Sequence, residues 1–148
     1  MEIRSFEVAD TEAVVGLWQE CGLTRPWNDP RADIERKLTV QPELFLVGIE
    51  PDLAQEPGDA NGAVIASAMV GYDGHRGWVN YLAVSPAWQR RGYARALMLE
   101  AERLLTARGC PKLNLQVRSN NSEAIEFYTA LGYEPDHAVS FGKRLSPD

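Results

Sequence analysis

The sequence predicts an α/β fold of the mixed, α+β kind: a central sheet of parallel and antiparallel strands flanked by helices. Three observations carry this. Segments with two-residue apolar alternation and segments with helical spacing follow one another in the order βααβββαβαβ. Asp73-Gly74, with Gly77 close by, separates two dense apolar strands and calls for an antiparallel hairpin. The later strands are separated by helical segments, which supplies crossovers and rules out a purely antiparallel sheet.

The elements follow in order. Ile3 to Phe6 alternates as a short strand. Asp10 is placed to cap a helix with Val14, Leu17, Trp18 and Cys21 on one face, ended by Gly22. Asp29-Pro30 reads as an N-cap followed by a first-turn proline, opening a second helix through Ile34 and Leu38. Leu44 to Ile49 is a buried strand, and Pro51 to Gly62 a mobile surface loop. Ala63 to Tyr72 and Trp78 to Val84 form the hairpin. A third helix starts around Gly92, carries Ala94, Leu97, Met98, Ala101, Leu104 and Leu105 as one stripe, and closes at Gly109 and Pro111. Leu113 to Arg118 alternates as a half-exposed strand. Asn121 caps a fourth helix bearing Ala124, Phe127, Tyr128 and Leu131, and Ala138 to Leu145 is expected to return as a last strand.

Residues 1–148 are expected to form one domain, with 45% apolar and 24% charged residues arguing against disorder. A net charge of −6 disfavours nucleic acid and anionic membrane partners. The opening Met-Glu-Ile-Arg starts no signal peptide and no apolar run reaches about 20 residues, which together predict a cytoplasmic protein. Cys21 and Cys110 have no ligand-spaced partners, and His75 and His137 are isolated, so no metal site is expected.

Most information lies in Leu82-Ala83-Val84-Ser85-Pro86-Ala87-Trp88-Gln89-Arg90-Arg91-Gly92-Tyr93-Ala94-Arg95. A strand ends, a proline turn follows, and a helix begins. Unpaired first-turn amides and the helix dipole accept an anion there. Gly92 permits backbone dihedrals and close approach that a Cβ would obstruct, and Arg90, Arg91 and Arg95 concentrate positive charge in an acidic chain. An ordinary solvated helix start is the bland alternative. No Gly-Lys-Ser/Thr follows, and one glycine does not make GxGxxG, so P-loop and dinucleotide sites are excluded.

Gln89 to Ala94 resembles the Q/R-x-x-G-x-G/A signature of the GNAT acyltransferases, and Asn121 to Tyr133 resembles their second hallmark segment. The resemblance runs from Ile3 to Leu145. It implies an acetyl-CoA-dependent N-acetyltransferase acting on a small-molecule or peptide amine, with no metal. Leu82, Ala83 and Val84 would pair with the pantetheine arm as an added strand, and the amides of Arg90, Arg91, Gly92, Tyr93, Ala94 and Arg95 would cradle the pyrophosphate, with Gln89 opening the signature. A notch between the strand ending at Val84 and the strand from Leu113 would admit cofactor from one side and amine from the other. Asn121 would touch the cofactor, cap its helix, or do both. Tyr128 would protonate the departing thiolate, against the alternative of a core tyrosine. Trp27 would border the acceptor or staple the second helix.

A general base is not assigned. Many relatives carry a glutamate on one of two strands that here read Trp78-Val-Asn-Tyr-Leu82 and Leu115-Gln-Val-Arg118, and neither holds a carboxylate. Tyr81, a water relay and a neutral incoming amine stay open. That gap motivates a second reading, a non-catalytic acyl-CoA-binding or sensing domain, and a third, a domain acting through protein contacts alone. Homodimers are common among such enzymes, so a homodimer is also compatible.

Overall fold

A computed structural model describes residues 1–51 and 62–147. Five strands form one sheet in the order β1-β2-β3-β4-β5: Glu2–Ser5, Phe45–Glu50, Ala63–Tyr72, Gly77–Val84 and Leu113–Asn114. The first four pair antiparallel, and β5 lies parallel to β4. Helices α1 (Thr11–Glu20), α2 (Pro30–Lys37), α3 (Tyr93–Ala107) and α4 (Ser122–Ala130) complete the set.

The sheet separates two apolar cores. Leu97, Met98, Ala101 and Leu105 of α3 pack on Ala66, Ala68, Val70 and Val79. On the other face Val14, Val15, Leu17 and Trp18 of α1 and Ile34 of α2 cover Phe6, Phe45, Val47 and Ala83. The rings of Phe6 and Phe45 stack at 4.4 Å. Strand alternation sends adjacent residues to opposite faces, which is why both cores are continuous.

Local signals explain the element ends. Asp29 caps α2 by accepting from Arg31 N at 2.9 Å, with Pro30 in the first turn. The β3–β4 turn is closed by Asp73 Oδ1, which accepts from the amides of His75 and Arg76. Asp10 behaves differently from the expectation. Its carboxylate takes a bidentate pair from Arg4 and the amide of Glu7, so it ties β1 to the following turn and makes no side-chain cap on α1.

Two expected strands are corrected. The one expected from Leu113 to Arg118 is only two residues long, because its ladder with β4 ends at Trp78↔Asn114. Ala138 to Leu145 forms no strand, since β5 extends no ladder for it to join; Val139, Phe141 and Leu145 stand exposed, and Gln116 Nε2 donates to Ser140 Oγ at 2.6 Å. Apart from its ends, the expected Pro51 to Gly62 loop lies outside the described residues.

Candidate functional site

The early end of the β4–β5 ladder makes the site. Beyond Trp78, the edge of β4 from Val79 to Val84 has no strand partner on its β5 side among the described residues. Leu82, Ala83 and Val84 therefore lie along an open main-chain edge, where an extended ligand can add as a strand.

A bulge shapes that edge. Ser67 pairs with Ala83 and Met69 with Asn80, so Ala68 alone opposes both Tyr81 and Leu82. Tyr81 takes a left-handed backbone with φ 53°, which disfavours a side chain and costs about 1–3 kcal/mol. Its surroundings hold it there. Ser67 Oγ, fully buried, donates to Tyr81 O at 2.8 Å and accepts from Trp18 Nε1 at 2.9 Å. The Trp18 ring stacks on the Tyr81 ring at 3.7 Å. The Tyr81 hydroxyl donates to Asp33 Oδ2 at 2.6 Å and accepts from Asn28 Nδ2 at 2.9 Å. Asn28 Nδ2 also reaches Asp33 Oδ2 at 2.6 Å, and Arg36 holds Asp33 Oδ1 at 2.6 Å. A carboxylate thus reaches the site from α2 and not from the strands where sequence reasoning looked for it. Asp33 sits 48 residues from Tyr81, and no spacing rule links them.

The turn after β4 is held by side chains. Gln89 Nε2 reaches back to Val84 O at 2.9 Å, so the side chain that opens the signature closes the turn. Cys21 Sγ lies 3.3 Å from the same oxygen, and burial pushes the Cys21 thiol up. Arg90 and Gly92 both adopt positive φ, 64° and 82°. Alternating handedness of this kind turns successive amides toward one side as an anion nest. At Gly92 a Cβ would meet nothing within 4 Å, so the space over the turn is open. α3 opens with a bond from Ala96 N to Gly92 O, which leaves the earlier amides of Tyr93, Ala94 and Arg95 at the open helix end. Arg91 lies 4.6 Å over the Trp88 ring, whereas Arg90 is extended in solvent and only 3.9 Å from Glu123.

Across the notch, Asn121 Oδ1 accepts from Ala124 N at 3.1 Å, so the residue does cap α4, and this bond leaves its NH₂ unspent. Tyr128 packs against the α3-side core, edge-on to Phe127 and Tyr133 at 5.0 and 5.8 Å. Burial pushes its phenol up to about 12, which keeps it protonated at neutral pH. Tyr133 donates to Glu102 at 2.7 Å and is also raised, first by burial. Trp27 is 56% exposed, which removes the staple reading, and it lies in the segment that Asn28 ties to Tyr81.

Among the described residues no group of three or more His, Cys, Asp or Glu is arranged to hold a metal, and no helix is long and apolar enough to cross a membrane. Both cysteines are free.

A mixed sheet whose β4–β5 ladder ends early beside a bulged strand runs into a helix start with positive φ at Arg90 and Gly92. The chain belongs to the acetyltransferase (GNAT) family, whose model matches residues 11–133. An acetyltransferase of Yersinia enterocolitica is 49% identical over 148 residues, covering 100% of this chain and 98% of the relative. Among solved structures, Ard1 from Thermoplasma volcanium superposes with a TM-score of 0.70 at 27% identity, covering 88% of this chain and 80% of that one. AAC(6')-Iy, solved with the bisubstrate analogue CoA-S-monomethyl-acetylneamine, gives 0.72 at 21% identity, with 98% of both chains covered. The chain is an acyltransferase, and the binding-only reading gives way to an enzyme.

Proposed function

We propose that residues 1–148 act as one domain that transfers the acetyl group of acetyl-CoA to a primary amine by direct attack in a ternary complex. The observation that carries this is the open β4 edge running straight into the nest at Arg90 and Gly92. Pantetheine, an extended diamide, matches the alternating donors and acceptors of Leu82, Ala83 and Val84. Its pyrophosphate fits the amides from Arg90 to Arg95, with the arginine charges beside it. The NH₂ of Asn121 is left to meet the cofactor from the opposite wall.

The amine nitrogen bonds to the acetyl carbonyl carbon, the C–S bond breaks, and the thiolate takes the Tyr128 proton. The nitrogen gives up one proton to solvent, and solvent returns one to the Tyr128 phenolate. A thiol ionises near ~8.5, so a phenol at about 12 is a weaker acid than the thiol that forms; its proton transfer to the thiolate is uphill by itself and is drawn forward by reprotonation of the phenolate. Asp33 and Asn28 fix the Tyr81 hydroxyl in place beside the bulged strand. Tyr81 positions the amine.

Thiol release from acetyl-CoA, measured with a panel of amines, peptides and polyamines, tests the transfer. Sustained release above hydrolysis with at least one amine is expected. CoA at 100 times its Kd should add about 2.7 kcal/mol of stability. A thermal shift without amine-dependent release would refute transfer, and the absence of both would refute the site.

A further inference from the structure

α4 carries Tyr128, yet none of its residues is fully buried, whereas α3 buries Leu97, Met98, Ala101 and Leu105. The one ion pair of α4 among the described residues, Glu123 with Arg90 at 3.9 Å, lies in open solvent and holds little. Nothing among those residues hydrogen-bonds the Tyr128 hydroxyl, so the packing of its ring sets where it points. Two rings touch it. Phe127 belongs to the same helix and moves with it, but Tyr133 is fastened elsewhere. The chain reverses at Gly132, with φ 94°; Gly132 N bonds Thr129 O and Tyr133 N returns to Tyr128 O, both at 3.0 Å. This bond pair is a Schellman helix end, which turns the residue after the glycine back onto the last turn. The Tyr133 ring therefore meets the Tyr128 ring edge-on at 5.8 Å. Its hydroxyl donates to Glu102 Oε2 of α3 at 2.7 Å, across 31 residues of sequence. Neighbouring Arg103 is paired with Glu100, and no cation among the described residues pairs with Glu102. A carboxylate bond of this kind is shorter and stronger than a neutral one. One well-buried helix thus opens at the nest and, through Glu102 and Tyr133, holds Tyr128.

We propose that Tyr133 and Glu102 are positioning residues for acyl transfer: the bond between them fixes the Tyr128 ring, and α4 with it, against the body of the protein. This rests on the role given to Tyr128 above. Neither residue touches the reacting atoms. Each acts through the ring it holds, and a lightly packed helix makes that hold matter, since a shift of about 1 Å at a reacting group costs up to about 100-fold in rate.

The test uses three variants of the full chain with acetyl-CoA and an amine that the wild type acetylates. Tyr133→Phe keeps the ring and removes the bond, Glu102→Ala removes it from the other side, and Glu102→Gln keeps an acceptor. The first two should lower kcat by about 10- to 100-fold with the Kd for CoA nearly unchanged, and Glu102→Gln should recover most of kcat. In a Tyr128→Phe background, Tyr133→Phe should add little further loss, because the two act as a unit. Wild-type kcat in Tyr133→Phe, or full additivity with Tyr128→Phe, overturns the proposal. A second measurement does not depend on turnover. In NMR spectra of protein carrying carbon-13-labelled tyrosine, the Tyr128 ring signals should move in Tyr133→Phe and Glu102→Ala and stay in Glu102→Gln. Unmoved signals in the first two overturn the proposal as well. Moved signals with full turnover in Tyr128→Phe would refute the acid role of Tyr128, and any positioning for catalysis with it. A large loss in Tyr128→Phe with Tyr133→Phe like wild type would keep that role and sink the positioning pair alone.

Discussion

Replacing Gly92 by alanine isolates the turn on which cofactor binding depends. Gly92 has φ 82°, and an added Cβ would meet no protein atom within 4 Å. The substitution therefore adds backbone strain without a clash, about 1–2 kcal/mol. For a chain of this size that lowers the melting midpoint by about 2–8 °C. Gly109, at the other end of α3, has φ 80° and is equally open, so Gly109→Ala carries the same strain far from the nest. Strain of this kind is present with and without ligand and cancels from Kd. What does not cancel is the new methyl where a phosphate would approach the amides. Losing one charge-assisted bond there costs about 1.5–3 kcal/mol, or about 10- to 150-fold in affinity. Calorimetric titration with CoA and thermal melts on both variants give the comparison. Equal loss of stability in the pair, with CoA binding lost only in Gly92→Ala, is the expected result. A Gly92→Ala protein that binds CoA within twofold of wild type refutes the assignment of the site.

Tyr128→Phe should lower kcat by about 100-fold while leaving the Kd for CoA nearly unchanged, read by steady-state kinetics beside titration. Because burial raises the phenol to about 12, turnover should show no alkaline limb from this group until close to that value. The linked stability has the same sign: it is fully present below the unfolded value near ~10 and lost as pH rises through about 12. An alkaline limb centred well below pH 10 that Tyr128→Phe removes would place the hydroxyl in a wetter site than this one. Ser67→Ala leaves the Trp18 indole N–H without its acceptor and frees the Tyr81 carbonyl, at an expected cost of about 1–3 kcal/mol in denaturant unfolding. A loss under about 0.5 kcal/mol would show that the bulge is held by packing alone.

Local chemistry was enough to read much of this protein from its sequence. Asp29-Pro30, Asp73-Gly74 and Asn121 set element ends through bonds to backbone amides two or three residues away. The stripe from Leu97 to Leu105 buried as its spacing required, and the strand–turn–helix around Gly92 was legible because its geometry depends on adjacent residues. Only the tertiary structure decided where β5 stops, since strand length depends on the partner edge, and that edge leaves β5 after Trp78. The same holds for Asp33, Asn28 and Tyr81, which meet across 53 residues. Burial and convergence arise from contacts between distant segments, and no local pattern encodes which segments will meet.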